Sequence, residues 1–177
     1  GDGFVVARVL HARGARVRVV ALSAPEGMSG DAAHNWRLLE RLAAQHDEVA
    51  LVRFESLTQL AAFRPADLHV DALLGTGLTS GLREPLRSLV GWLNEQPQPM
   101  VALDVPSGLH SDYGRALGAA VQADLTVTMG ALKTGLLLHD GLARAGRTEV
   151  VEIGIPRFAL EQALSRDGCA WRASDAT

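Results

Sequence analysis

Acidic residues and glycines occur together at three places in the sequence where loops meet regular elements. The first is Gly1-Asp2-Gly3, directly before an apolar helical pattern. Backbone N–H groups at a helix N-terminus can hold a phosphate, and glycine permits a close approach. A glycine turn that only caps the helix is the more common explanation, so this segment is a weak signal by itself.

The second place is Asp71 and the glycine-rich loop after it. Asp71 lies inside an apolar stretch, between Val70 and Ala72. A carboxylate there is costly unless it is paired, hydrogen-bonded or bound to a cation, so either a cation or loop N–H groups must satisfy it. Glycines 75, 77 and 81 of the following loop can bring backbone amides onto the phosphates of a ligand, although glycines also serve ordinary turns.

The third place is Asp104, at the C-terminal end of a buried strand and before a Pro-Ser-Gly turn. An acid at this position of an open α/β sheet is typical of catalysis; the alternative is a side chain that only organises the turn. Ser107 does not stand in a G-x-S-x-G context, so we do not expect it to be a nucleophile.

Lys133 is the only lysine of the chain, although lysines and arginines together number 17. It follows a predicted strand by a few residues. A lysine can titrate where an arginine cannot, which makes a single lysine a candidate for chemistry. It is equally explained as a chance survivor of an arginine-rich composition.

Helical and strand patterns alternate along the chain and must position these residues. Helices are predicted at 4–12, 32–45, 56–63, just after Pro85 and at 157–165, and strands at 15–22, 48–54, 67–74, 99–105, 123–129 and 148–153. Several of these strands are continuous apolar runs, as in a parallel sheet that helices cover on both faces. We therefore predict a three-layer α/β/α, Rossmann-like open sheet with right-handed crossovers. Ligands bind such sheets beyond the carboxyl ends of the strands, which points to the loops after residues 74, 105 and 129.

Composition limits the possible function classes. A length of 177 residues predicts one domain, and a net charge of -3 argues against nucleic-acid binding. One cysteine, Cys169, excludes an internal disulfide and a multi-cysteine zinc site. The apolar runs are far shorter than the ~20 residues of a membrane span, so we predict a cytoplasmic protein without a membrane partner.

The two ends of the sequence lead to expectations about an N-terminal strand and a C-terminal tail. The chain starts inside a helix-opening turn, so we expect that the strand normally preceding such a turn is missing from this sequence. We assign residues 1–165 to one domain. Residues 166–177 are interpreted as a tail or a linker toward a further domain.

Six segments follow one another in an order that is more specific than any single motif. They are Gly1 to Arg8, Gly30 to Asn35, Val70 to Leu78, Ala102 to Leu109, Ala123 to Gly130 and Lys133 to Leu136. Through them, residues 1 to about 156 closely resemble the NAD(P)H-hydrate epimerase family, the YjeF N-terminal domain.

The resemblance implies a Rossmann-like enzyme that binds hydrated NADH or NADPH and interconverts its R and S epimers with the help of a potassium ion. Of the family's Asn-Asn-Gly-Gly-Asp-Gly motif, the last three residues match Gly1, Asp2 and Gly3, and the asparagine that helps to ligate potassium would precede residue 1. Asp71 and Ser107 match the other potassium ligands. The positions that match contacts to the hydrated cofactor are Gly1, Asp2, Gly75, Thr76, Gly77, Leu78, Thr79, Ser80, Gly81 and Asp104.

The same resemblance leads to further expectations. Asp104 is the expected catalytic acid/base. We expect a homo-oligomer, and an ADP- or ATP-dependent dehydratase on the same or another chain. The alternative is a non-catalytic nucleotide-binding or interaction module of the same fold. An NAD-dependent dehydrogenase is disfavoured because no G-x-G-x-x-G turn with a later acidic residue is present.

Overall fold

The computed structural model describes residues 1–166, in which helices alternate with parallel strands. The helices are α1 (Asp2–Ala12), α2 (Gly30–Ala43), α3 (Leu57–Ala61), α4 (Leu86–Asn94), α5 (Gly141–Arg144) and α6 (Arg157–Arg166). The strands are β1 (Val17–Ala21), β2 (Val49–Arg53), β3 (His69–Asp71), β4 (Met100–Leu103), β5 (Leu125–Met129) and β6 (Arg147–Val151). Residues 167–177, with Cys169 and most of the predicted tail, lie outside the described residues.

All strand pairs in the described residues are parallel, which confirms the predicted α/β class. The strands form two sheets, β1-β2 and β3-β4-β5-β6. The ends of β1 and β3 border one cleft of about 320 Å³, lined among others by Ala21, Ala72 and Phe4 of α1. Within residues 1–166, β1 and β3 do not pair with each other, so no strand ladder joins the two sheets at this cleft.

Each sheet has its own apolar core. Ala7 of α1 and Leu39 of α2 pack with Val17 of β1 and Val49 of β2. In the larger sheet, one cluster forms around Val90 of α4. Its other members are Met100, Ala102, Val121 and Ala123. A further cluster lies beneath the loop after β4 and contains Val105, Leu109, Ala120, Leu136 and Ala145.

The elements differ from the sequence predictions in length and exposure. β3 has three residues rather than the predicted eight, because the chain leaves the sheet directly after Asp71. β6 spans Arg147–Val151 rather than the predicted 148–153, lies at a sheet edge and is largely exposed. A 3-10 turn (Thr134–Leu137) and α5 are not predicted, since both are too short to show a helical period. No helix of residues 1–166 is long and apolar enough to span a bilayer.

Candidate active site

Asp71 and Ser107 form a buried pair at the carboxyl ends of β3 and β4. Both residues are 1% exposed. The Ser107 hydroxyl donates to Asp71 Oδ1 at 2.6 Å, and the Ser107 backbone N–H donates to Oδ2 at 2.7 Å. The Leu73 N–H also donates to Oδ1, and the Leu74 N–H donates to Ser107 Oγ at 2.9 Å. The pair therefore joins two loops that are far apart in sequence.

Burial raises the pKa of the Asp71 carboxyl above its ordinary value, and the hydrogen bonds from Ser107 and Leu73 oppose that shift without cancelling it. A carboxylate in this position gains from a nearby cation. A carboxylate has about four lone-pair positions, and three protein donors reach Asp71, so one position is left for an ion.

The oxygens around Asp71 are of the kind that a potassium ion takes. Ser107 Oγ lies 2.6 Å from Asp71 Oδ1 and 3.3 Å from the Leu74 carbonyl oxygen. Hard cations prefer carboxylate and carbonyl oxygens, and potassium in particular is held by carbonyls. Within residues 1–166, no group of three or more His, Cys, Asp or Glu side chains is placed so that it could hold a metal ion. The residues fit a potassium ion.

Asp104 follows β4 directly and has an unusual backbone. Its φ is 66°, in the left-handed region that few residues other than glycine, asparagine and aspartate adopt. Its N–H nevertheless donates to Val127 of β5 at 2.8 Å, so the strand pairing continues to this residue. The turn thereby directs the Asp104 side chain to the carboxyl edge of the sheet.

The carboxylate of Asp104 has two differently placed oxygens. Oδ1 lies 2.5 Å from Lys133 Nζ and 3.4 Å from Thr128 Oγ1 and the Met129 N–H. Oδ2 lies on the side of the glycine loop, 3.5 Å from the position that a Cβ on Gly75 would occupy. The side chain of Asp104 is 16% exposed, so a ligand can reach it from that loop.

The loop from Gly75 to Gly81 borders this carboxylate. Its residues are exposed apart from the half-buried Leu78. The Ser111 hydroxyl donates to the Thr76 carbonyl at 3.4 Å, and Leu82 N–H, just after the loop, donates to the Leu117 carbonyl at 2.9 Å. The loop is thus held at both ends by the segment that follows Ser107.

The N-terminus of α1 lies against the end of β3. Gly3 approaches Ala72 so closely that a Cβ on Gly3 would be 2.6 Å from the Ala72 Cβ. Nothing lies within 4 Å of a Cβ built on Gly1, so the close packing in this segment is at Gly3. The phosphate contact expected for the segment stays a prediction. Gly1 and Asp2 are exposed beside the Asp71 loop, so the helix N-terminus opens at the same edge as Asp104.

The three predicted segments therefore meet at one edge of the larger sheet. The contact that the sequence leaves open is that of Lys133 with Asp104, because the two residues are 29 positions apart and approach each other only when β5, which lies between them, pairs with β4. Lys133 is the only lysine among the basic residues of the chain, and this is the sequence signal that identifies it as a candidate.

Comparison with known protein families gives a match over most of the chain. The family described as YjeF-related protein N-terminus matches residues 1–135. The chain is 52% identical over 183 residues to the bifunctional NAD(P)H-hydrate repair enzyme Nnr of Salinibacter ruber, and the match covers 99% of this chain and 34% of that protein. The chain thus spans about a third of the length of the bifunctional relatives it matches.

A shorter relative is matched over most of its own length. The chain is 36% identical to the NAD(P)H-hydrate epimerase of Pirellula staleyi, over 92% of this chain and 71% of that protein. Among solved structures, the crystal structure of yeast ynu0 superposes with a TM-score of 0.68 at 22% identity, covering 98% of this chain and 69% of that one. At this level of identity the superposition supports the fold.

Proposed function

The chain belongs to the YjeF-related N-terminal family, and from that premise we propose that it is an isomerase that interconverts the R and S epimers of hydrated NADH and NADPH. The observation that carries the proposal is the Asp104 carboxylate, which stands at the end of β4 with one oxygen on Lys133 and the other toward the Gly75 loop. The reaction would serve as metabolite repair of the damaged cofactor.

The chemistry of the substrate needs one positioned acid/base group. The hydrated carbon carries a hydroxyl and is bonded to the ring nitrogen, so it is a carbinolamine. Its configuration inverts either by ring opening and reclosure or by loss and return of water through an iminium. Both routes begin and end at the same oxidation state and require proton transfer at the hydroxyl. Asp104 is the residue we assign to that transfer.

The remaining predicted contacts are assigned to binding. The backbone of the loop from Gly75 to Gly81 and the α1 N-terminus at Gly1 and Asp2 face the same edge as Asp104. Exposed amides in such a loop and at a helix N-terminus suit the pyrophosphate of the hydrated cofactor. The side chains of Thr76, Thr79 and Ser80 add hydroxyls to the same loop.

We assign potassium to the buried oxygens of Asp71, Ser107 and the Leu74 carbonyl. When bound, the ion would supply a positive charge that compensates the Asp71 carboxylate and the pyrophosphate. This chain's contribution is structural, since the Asp71–Ser107 hydrogen bonds tie the start of the glycine loop to the turn after Asp104.

The test is an epimerisation assay with a mixture of hydrated NADH and NADPH epimers, followed by chromatographic separation of the R and S forms. Faster equilibration with protein than without it supports the proposal. Binding by calorimetry with no change in equilibration rate would instead indicate a non-catalytic binding module. Reduction of NAD(P)+ with a hydroxy substrate would indicate a dehydrogenase.

Further proposals concern partners and location. The bifunctional relatives, about three times as long as this chain, support coupling to an ADP- or ATP-dependent dehydratase on the same or another chain. The unpaired edge of β3 and exposed Val150, Val151 and Ile153 of the β6 region favour a homo-oligomer, which light scattering can test. Since NADH and NADPH are intracellular cofactors, we place the reaction in the cytoplasm.

A further inference from the structure

Lys133 forms an ion pair with Asp104 but has no role of its own in the proton transfer, the binding contacts or the potassium site assigned above. The Nζ atom lies 2.5 Å from Asp104 Oδ1 and donates to the Met129 carbonyl oxygen at 2.6 Å. The side chains are 19% and 16% exposed, in contrast to the surface pair of Arg157 and Glu161, which are 91% and 64% exposed. A mostly buried, charge-assisted hydrogen bond constrains its partners far more than an exposed one.

The backbone that carries Lys133 is held firmly. Lys133 immediately precedes the 3-10 turn, and Gly135 in that turn donates to the Ser111 carbonyl at 2.6 Å. A Cβ on Gly135 would lie 2.3 Å from the His110 carbonyl oxygen, so only glycine permits this approach. The turn is therefore wedged against the segment that follows Ser107, and the ammonium group is presented to Asp104 from a rigid base.

The pair also distinguishes the two carboxylate oxygens. Lys133 occupies Oδ1, and Oδ2 lies on the side of Gly75. A free aspartate side chain can rotate and exchange its oxygens, whereas one held at Oδ1 keeps Oδ2 in place. A lysine suits this role because its ammonium is a compact charge with three donors, which can serve the carboxylate and the Met129 carbonyl at once.

We propose that Lys133 is a positioning residue of the epimerase: its ammonium group holds Oδ1 of Asp104 so that Oδ2 faces the substrate loop. This inference rests on the proposed function. It assigns no proton transfer to Lys133 itself. Loss of the ammonium group leaves the catalytic carboxylate present but held at Oδ1 only by the longer contacts of 3.4 Å with Thr128 and Met129, which lowers turnover more than substrate affinity.

The kinetic test compares Lys133→Met with wild type. Met keeps the length of the side chain and removes the charge. We expect kcat to fall about 10- to 100-fold while KM changes by less than about threefold. Arg157→Met, which removes the exposed ion pair, is the matched control and should retain wild-type kcat.

In an Asp104→Asn background, Lys133→Met should lower kcat by less than about twofold, because Lys133 acts through Asp104. A full additive loss in the double variant, or a kcat above half of wild type in the single variant, overturns the inference.

Chemical rescue separates the ammonium group from a packing role. In a Cys169→Ser background, which removes the single native cysteine, Lys133→Cys is treated with 2-bromoethylamine to restore a lysine-like side chain. We expect the aminoethylated protein to regain at least about a third of wild-type kcat and the neutral iodoacetamide adduct to regain none. Equal recovery with both reagents would show that only side-chain volume matters and would overturn the proposal.

A readout without turnover keeps the inference separate from the proposed function. Because Lys133 is the only lysine, labelling with 15N-lysine gives one side-chain ammonium signal in the NMR spectrum. We expect Asp104→Asn to shift this signal, and Arg157→Met to leave it in place. An unchanged signal in Asp104→Asn overturns the ion pair. If Asp104→Asn shifts the signal but the wild-type protein does not epimerise the substrate, the ion pair is confirmed and the proposed function is overturned instead.

Discussion

Asp104 combines a left-handed backbone with the carboxylate to which we assign the proton transfer. Its φ of 66° is tolerated by aspartate, asparagine and glycine, so the position can be changed chemically without changing the turn. Variants at position 104 can therefore separate an effect on the reaction from an effect on folding.

We predict that Asp104→Asn lowers the epimerisation rate by roughly 10²- to 10⁴-fold, because asparagine keeps the shape and the φ angle but cannot transfer the proton. Rates are measured by chromatographic separation of the epimers. The thermal midpoint of the variant should remain close to that of wild type, which serves as the folding control. A variant that keeps more than a tenth of the wild-type rate would remove Asp104 from the proton transfer.

Potassium should stabilise the protein through Asp71. We expect a higher melting temperature in potassium chloride than in tetramethylammonium chloride at equal ionic strength, since a bound cation compensates a carboxylate whose burial disfavours its charge. Asp71→Ala should remove the difference between the two salts. Asp2→Ala, on an exposed carboxylate, is the control that should retain it. Identical wild-type curves in both salts would contradict the ion site.

Sequence reasoning reached Asp104 by its position at a strand end and Asp71 by its position inside a predicted strand, whereas in the structure Asp71 is the last residue of β3. Asp71 and Asp104 stand out because each is a carboxylate beside an apolar run, and the structure confirms that both lie at one sheet edge. Their roles stay predictions. The direct Asp71–Ser107 contact could not be read from spacing alone, since the two residues are 36 positions apart and meet only when β3 pairs with β4. The contact of Lys133 with Asp104 could not be read from spacing for the same reason.

At the scale of elements, the turn after β4 depends on one glycine. Gly108 has a φ of 96°, and a Cβ there would lie 2.0 Å from the Ala119 carbonyl oxygen. Gly118 has a φ of 90° with nothing within 4 Å of its Cβ position. Substitution of either glycine therefore strains the backbone, whereas only substitution of Gly108 also creates a steric clash.

We predict that Gly108→Ala destabilises the protein by clearly more than Gly118→Ala. The shared positive φ costs about 1–2 kcal/mol in each variant. The clash at Gly108 adds to that cost and displaces the Ser107 turn, so activity should fall as well. Urea unfolding of both variants provides the comparison. Equal free energies of unfolding would show that the turn relaxes around the new methyl group.

His69, the first residue of β3, gives the fold a pH dependence. Burial lowers the pKa of His69 below its ordinary 6.5, and a hydrogen bond with Gln98 only partly opposes this. Its ring packs edge-on against Trp92 of α4, 5.9 Å between centroids. Below pH 6.5 the unfolded chain binds a proton more readily than the folded chain, so stability present above pH 6.5 is lost as the pH falls through the lowered pKa.

We therefore expect His69→Gln to lose less stability than wild type between about pH 7.5 and about pH 5. The measurement is the free energy of unfolding in urea at both pH values. His34→Gln, on an exposed position of α2, is the control and should keep the wild-type pH dependence. A variant at position 69 with an unchanged pH dependence would contradict the assignment to His69.

The order of the elements was predictable, whereas their extents were not. Each strand of the two sheets coincides with a predicted one, and several of them were recognised as apolar runs, which buried parallel strands need. Apolar runs overestimated β3, since Ala72, Leu73 and Leu74 are apolar but belong to the loop that carries the site. The edge position of β6 could not be foreseen, because a strand-like sequence does not show which strand is last in the sheet.

At the scale of the whole molecule, the two sheets and their cores are separate in residues 1–166. The core of β1 and β2 contains Leu39, whereas the β3–β6 sheet packs around Val90. A two-stranded sheet depends on its helices for stability. We therefore expect amides of β1 and β2 to exchange with solvent hydrogen at a lower free energy of opening than those of β4 and β5.

Native-state hydrogen exchange at increasing urea concentrations tests this expectation. Leu39→Ala should accelerate exchange in β1 and β2 and leave β4 and β5 almost unchanged, and Val90→Ala should do the reverse. One common opening free energy for all four strands, lowered equally by both variants, would show that the molecule unfolds as a single unit.

The left-handed backbone at Asp104 also has an evolutionary consequence. Aspartate and asparagine codons differ by one nucleotide, and both residues accept this φ, so a single mutation can remove the proposed acid/base group while the turn and the sheet persist. Under the proposed function, a gene copy relieved of its catalytic duty could therefore become a binding module without activity in one step. Most other substitutions at this codon would in addition strain the turn by about 1–2 kcal/mol, so loss of the reaction would come together with loss of stability.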